Sequence, residues 1–128
     1  MDDFVVKDSG KREIFTSGMT RDTQDGKLDY WRVLIGPMVR RWAAHVTKGA
    51  IKYPDVRPGV PNWTLAEGEA ELARFKASAF RHFIQWLEGD RDEDHAAAIM
   101  FNVNGAEYVK AKMEEKNDAN TSGRLPRT

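Results

Sequence analysis

Residues 81–95 read Arg81-His82-Phe83-Ile84-Gln85-Trp86-Leu87-Glu88-Gly89-Asp90-Arg91-Asp92-Glu93-Asp94-His95, which places two of the chain's three histidines beside a run of acids. A glycine after an apolar helical stripe, followed by acids, reads as one helix stopping and another starting. Carboxylate oxygens suit hard cations such as Mg²⁺, and Mn²⁺ accepts imidazole nitrogen as well. Asp90 and Asp92, with His82 and His95, are therefore the candidate metal ligands. A divalent cation held at a helical bend points to phosphate chemistry.

The spacing supports this grouping. Asp92, His95, Ile99 and Asn102 stand at i, i+3, i+7 and i+10 and share one helix face. In an antiparallel hairpin bent at Gly89-Asp90, His82 and Gln85 come opposite His95 and Asp92. The same residues also have a plainer reading. Acids at a helix start are favoured by the macrodipole without any ion, and a histidine on an apolar stripe is more often a hydrogen-bonded core residue than a ligand. The order Asp94-His95 is the reverse of the motif in His-Asp phosphohydrolases and argues against that chemistry.

Other residues suit a nucleotide. Lys27, Lys52 and Arg81 are candidate phosphate donors. Tyr53, Trp63 and Trp86 offer rings on which a base can stack, while Asn62 and Asn102 can read base edges or a sugar hydroxyl. Glycine-rich phosphate cradles of the Walker or GxGxxG kind are absent from the sequence.

Three helices must position these groups. The first is expected from Gly36-Pro37, with Met38, Trp42 and His45 as its stripe, to Tyr53-Pro54, where the proline stops it. A loop with Pro54, Pro58, Gly59 and Pro61 leads to Asn62-Trp63. Thr64 and Glu67 have capping-box spacing, so the second helix is expected to start there. Its stripe is Leu72, Phe75, Ala79, His82/Phe83 and Trp86. The third is expected from 90–92 to about Lys116, burying Ile99, Val103, Ala106, Val109 and Met113, with Gly105 allowing close approach.

The expected fold is all-α, a helical bundle completed by homo-oligomerisation, as homodimer or homotetramer, because the stripes are broad and aromatic. Residues 1–30 form an irregular arm, 31–116 the helical domain, and 117–128 a polar tail expected to fray. In the arm, Phe4, Val5, Val6, Ile14 and Phe15 are candidates to pin it to a core. The 128 residues fit one domain, and 20 basic against 20 acidic side chains leave no net field for nucleic acid or anionic membrane. With no cysteine, disulfides, thiolate catalysis and cysteine zinc sites are excluded. No apolar run follows the acidic start, so no membrane span is expected and the cytoplasm is the expected compartment.

Arg21-Asp22 ahead of Gly26-Lys27, then Lys52-Tyr53, Asn62-Trp63, Arg81-His82 with Trp86, Gly89-Asp90 with Asp92-Glu93-Asp94-His95, and Asn102 together resemble the phage-type dATP/dGTP diphosphohydrolase domain. That domain is grouped with the MazG-like nucleoside triphosphate pyrophosphohydrolases. The resemblance covers about residues 15–110. It implies an all-α, oligomeric, Mg²⁺- or Mn²⁺-dependent enzyme that cleaves purine dNTPs between the α and β phosphates. The products are the monophosphate and pyrophosphate. In some phages the dGMP feeds 2-aminoadenine synthesis while dATP is removed.

On that reading Asp92, His95 and His82 are the catalytic residues, one of them taking the proton of the attacking water. Lys27, Lys52, Tyr53, Asn62, Trp63, Arg81 and Asn102 bind the nucleotide. There is one departure: MazG proteins carry Glu-x-x-Glu and Glu-x-x-Asp pairs where this chain has His82-x-x-Gln85 and Asp92-x-x-His95. The departure motivates an alternative, a non-catalytic helical module that binds a nucleotide or a protein.

Overall fold

The computed structural model describes residues 4–122. The chain forms two compact units, Met1–Val33 and Leu34–Thr128.

In the first unit, β1 (Arg12–Ile14) pairs antiparallel with β2 (Thr20–Asp22), Arg12 opposite Asp22. Gly18 turns the chain between them at φ +92°, a conformation that favours glycine. A bare two-stranded ribbon is marginal, and charged side chains tie this one. Arg12 bridges Asp8 at 2.8 Å and Asp22 at 3.1 Å, and the Asp8 carboxyl is held down at about 2 by that guanidinium. Phe4, Val5, Val6, Ile14 and Phe15, the residues expected to pin the arm, are all exposed. The chain turns at Asp25-Gly26, Lys27 N–H donating to the Gln24 carbonyl at 2.9 Å. A single 3₁₀ turn, Tyr30–Val33, follows.

The second unit is all-α: α1 (Met38–Lys52), a 3₁₀ turn (Asn62–Leu65), α2 (Glu69–Glu88) and α3 (His95–Ser122). Gly89 ends α2 in the left-handed conformation (φ +80°). Its N–H and that of Asp90 close the helix on the Trp86 and Gln85 carbonyls, both at 3.1 Å. The chain reverses there, and α3 runs back along α2, bringing Glu67 to Lys116 at the far end (3.3 Å). α1 lies along α3 in the same direction, Arg41 meeting Asp94 and His45 meeting Phe101.

The core is small. Leu72, Ala66, Ala106 and Val109 are buried, with Phe75 and Met113 packed against them. Gly105 is what lets α2 and α3 approach: a Cβ there would lie 2.5 Å from the Phe75 ring. The expected close approach is thus met. Val103, Phe83 and Trp86, expected on the buried stripes, are instead 49%, 42% and 51% exposed. One partner helix covers a stripe about one side chain wide, and these residues lie beside it.

Two helix starts differ from expectation. Thr64 does not cap α2. Its hydroxyl donates to the Pro61 carbonyl at 2.6 Å inside the 3₁₀ turn, and Lys112 Nζ donates to the carbonyls of Thr64 (2.7 Å) and Ala66 (3.2 Å). Those bonds keep 64–66 out of the helix. The N-cap is Gly68, whose N–H donates to Glu71 Oε1 at 3.0 Å. α3 starts at His95 rather than at 90–92, because Asp94 caps it: Oδ1 accepts from Ala97 N–H at 3.1 Å and the carbonyl from Ala98 N–H at 3.0 Å. α3 then continues past Lys116 to Ser122. The rest of the expected tail, 123–128, lies outside the described residues. No helix among the described residues is long and apolar enough to cross a membrane.

Candidate functional site

The reversal at Gly89 carries His82, on the inner face of α2, against His95, the first residue of α3. Their Nδ1 atoms are 2.8 Å apart and both side chains are buried (7% and 2% exposed). His95 Nε2 lies 2.8 Å from Asp92 Oδ1, and a guanidinium nitrogen of Arg81 lies 3.3 Å from His82 Nε2. Arginine can only donate, so His82 Nε2 accepts and its Nδ1 carries the proton. His82 Nδ1–H then donates to His95 Nδ1, leaving His95 Nε2–H to donate to the Asp92 carboxylate. The network has one direction, Arg81 to His82 to His95 to Asp92.

The electrostatics agree. Burial, followed by the charge of Arg81, pushes the His82 imidazolium down from its ordinary value. Asp92 is also lowered, first by the hydrogen bond from His95, so its exposed carboxylate is charged.

Three-residue groups of donors converge here. One ligand atom each from His82, Glu93 and His95, and likewise from Asp90, Asp92 and His95, lie within 4.8 Å of one another. One turn beyond His82, the Gln85 Oε1 atom is buried and has no hydrogen-bond partner among the described residues. A mixed oxygen and nitrogen donor set of this kind could hold a metal ion. The four expected ligands fall into two groups that share His95, Asp90 and Asp92 in one and His82 with Glu93 in the other.

A bidentate ion pair fastens α1 to this bend. Arg41 Nε donates to Asp94 Oδ2 at 2.8 Å and a terminal nitrogen to Oδ1 at 2.6 Å, holding the Asp94 carboxyl at about 2. Further along, His45 contacts Phe101 (ring centroids 5.4 Å).

Beyond Phe101 opens a cavity of about 500 Å³, walled by Tyr53, Trp63, Phe75 and Phe101, with Asn62, Glu71 and Arg74 at its polar edge. Trp63 is edge-on to both Phe101 (5.9 Å) and Tyr108 (5.1 Å). Phe75 and His82 are seven residues apart on one face of α2, so the cavity and the bend cluster are separated by two helical turns, about 10 Å.

Of the expected nucleotide contacts, Tyr53, Asn62 and Trp63 line this cavity, and Arg81 belongs to the bend cluster. Lys52 lies beside the cavity, its Nζ 5.3 Å from the centre of the Tyr53 ring. Asn102 is turned inward, its amide donating to the Ala98 carbonyl at 2.8 Å, and it does not line the cavity. Its neighbour Phe101 does. Lys27 belongs to the first unit, near Asp22.

Sequence reading missed Arg41, Glu71, Arg74 and Phe101 as site residues. The i, i+3 pair of opposite charges at Glu71 and Arg74, on a stripe next to Phe75, was the one visible signal. Arg41 had none, being 53 residues from its partner.

The family model for dATP/dGTP diphosphohydrolase, N-terminal, matches residues 17–119. No curated protein and no solved structure matches the chain.

Proposed function

The chain belongs to the dATP/dGTP diphosphohydrolase N-terminal domain family, and on that premise we propose that it is a metal-dependent hydrolase of purine deoxynucleoside triphosphates. It cleaves the α–β anhydride to give dNMP and pyrophosphate. The observation that carries this reading is the pairing of an aromatic cavity with a carboxylate–imidazole cluster two helical turns away on the same helix pair. That separation matches the reach from a base to its phosphates, with the base in the cavity and the triphosphate toward the bend.

The residues supply the following chemistry. A water oxygen bonds to the α-phosphorus, the bridging P–O bond breaks, and its electron pair leaves with pyrophosphate. The ionised Asp92 accepts the hydrogen bond of the incoming water and takes its proton, while His95, held by His82, keeps that carboxylate in one orientation. Arg81 offers positive charge to the phosphates, while Lys52, beside the Tyr53 ring, stands at the base end. Asp90, Asp92 and His95, or His82, Glu93 and His95, would hold Mg²⁺ or Mn²⁺, the imidazoles giving up their hydrogen bonds to do so. Charge on the triphosphate is neutralised, and a bound water made more acidic, by such an ion when it is held there.

The exposed apolar residues Phe80, Phe83, Ile84 and Leu87 stand at i, i+3, i+4 and i+7 on the outer face of α2 and support a homodimer or homotetramer. The activity fits phage nucleotide-pool remodelling in the host cytoplasm, supplying dGMP for 2-aminoadenine synthesis and removing dATP.

Incubation with dGTP and Mn²⁺, with products resolved by chromatography, tests the reading. Formation of dGMP and pyrophosphate is expected. Deoxyguanosine plus triphosphate, or no turnover of any dNTP, overturns it, the latter in favour of a non-catalytic binding module.

A further inference from the structure

We propose that His45 is a catalytic residue whose imidazole N–H donates to the α-phosphate of the bound nucleotide, midway between the cavity and the bend. The inference rests on the nucleotide-hydrolase reading above and concerns the one histidine that reading leaves unused.

The chain has three histidines, and His82 and His95 hold each other at the bend. His45 comes from α1, and two contacts fix its level. One turn before it, Arg41 is fastened to Asp94, the cap of α3. His45 itself meets the Phe101 ring, tilted at 47° with centroids 5.4 Å apart. Phe101 is a cavity wall, seven residues and about 10 Å along α3 from Asp94. His45 thus stands on the stretch that separates the cluster from the cavity, where the proposed function puts sugar and α-phosphate.

Electrostatics place it there independently. The Asp94 carboxyl is lowered chiefly by its Arg41 hydrogen bond and the His82 imidazolium chiefly by burial, and the field of His45 adds to both shifts. The ring is therefore within electrostatic reach of two residues on opposite sides of the Gly89 reversal.

A histidine packed on an apolar ring is ordinarily hydrogen-bonded into the core. His45 is half-buried, yet among the described residues neither of its ring nitrogens has a hydrogen-bond partner, and neither is sealed from solvent. An imidazole keeps at least one N–H whatever its charge. As water attacks the α-phosphorus, negative charge grows on the non-bridging oxygens. A donor already held beside them stabilises that state more than the ground state.

The test compares dGMP with deoxyguanosine, which differ only in the α-phosphate, by calorimetric binding to the full chain and two variants. His45→Phe keeps a ring against Phe101 and removes the donor. His45→Gln returns an N–H, and melting curves verify that both variants fold. His45→Phe is expected to lose about tenfold on dGMP and little on deoxyguanosine. Its kcat on dGTP with Mn²⁺ should fall about 100-fold, a larger loss than that in binding. His45→Gln should recover part of each.

Equal losses on the two ligands would make His45 a cavity wall, and unchanged binding and turnover would make it a packing residue. Either overturns the assignment while wild-type hydrolysis of dGTP stands. A wild type that binds neither ligand and turns over no dNTP overturns both readings together.

Discussion

Nδ1 of His82 lies 2.8 Å from Nδ1 of His95, and the direction of that hydrogen bond is set from both ends, by a guanidinium that can only donate and a carboxylate that can only accept. Adding a proton to either ring breaks the order. A charged His95 would aim a second N–H at His82, whose other nitrogen already receives Arg81.

Stability should therefore depend on pH through His82. Its folded-state value is pushed below the ordinary 6.5, mainly by burial. As pH falls below 6.5, the unfolded chain takes up the proton first, so acidification favours unfolding. Thermal melts near about pH 7.5 and about pH 5.5 should show the protein less stable at the lower value, and His82→Gln should flatten the difference. A steeper or unchanged slope in the variant would remove His82 as the cause.

Asp92→Asn separates catalysis from packing. The Asp92 carboxylate is 64% exposed and contributes little to the core, so stability should change by less than about 0.5 kcal/mol. Turnover should fall about 100-fold or more, because the amide neither carries the charge nor takes the proton. Mn²⁺ should raise the melting temperature of the wild type and not of this variant. Retained activity would show that the cation is not held by Asp92.

Gly105→Ala would set a methyl group 2.5 Å from Phe75 Cε1. The half-buried ring must shift or the helices must part, at a cost of about 1–3 kcal/mol. Melting should drop by several degrees and nucleotide binding should weaken with it, since Phe75 is also a cavity wall. An unchanged melting temperature would mean that α2 and α3 pack less closely than described.

The Arg41–Asp94 pair offers a double-mutant cycle. Both side chains are more than a third exposed, so screening limits the pair itself to about 1 kcal/mol. Asp94→Ala should cost about 1 kcal/mol more than Arg41→Ala, because it also removes the cap of α3. The Asp94 contribution has its own pH window. With a folded value of about 2 against an ordinary 3.8, it is present above 3.8 and lost as pH falls toward 2. Equal effects of the two substitutions would argue that the cap contributes nothing.

Much of the bend was legible in the sequence, because its signals are local. Gly89 follows a helical stripe and needs a left-handed φ that glycine adopts freely, and only thirteen residues separate His82 from His95. Once the reversal is placed, chain connectivity brings the two rings and Asp92 together. All three helices could be read for the same reason, their periodicity and stops lying within a few residues of one another.

What the tertiary structure alone decided are the matters that depend on distant partners. Lys112 holds the Thr64 and Ala66 carbonyls from more than forty residues away and moves the start of α2 from Thr64 to Gly68. Phe83, Trp86 and Val103 share the periodicity of the core stripe but fall outside the strip that one neighbouring helix covers. The cavity draws Tyr53, Trp63, Arg74 and Phe101 from four segments, and its composition follows from how closely α2 and α3 approach over Gly105. Spacing along a helix determines which side chains share a face; only packing determines what that face meets.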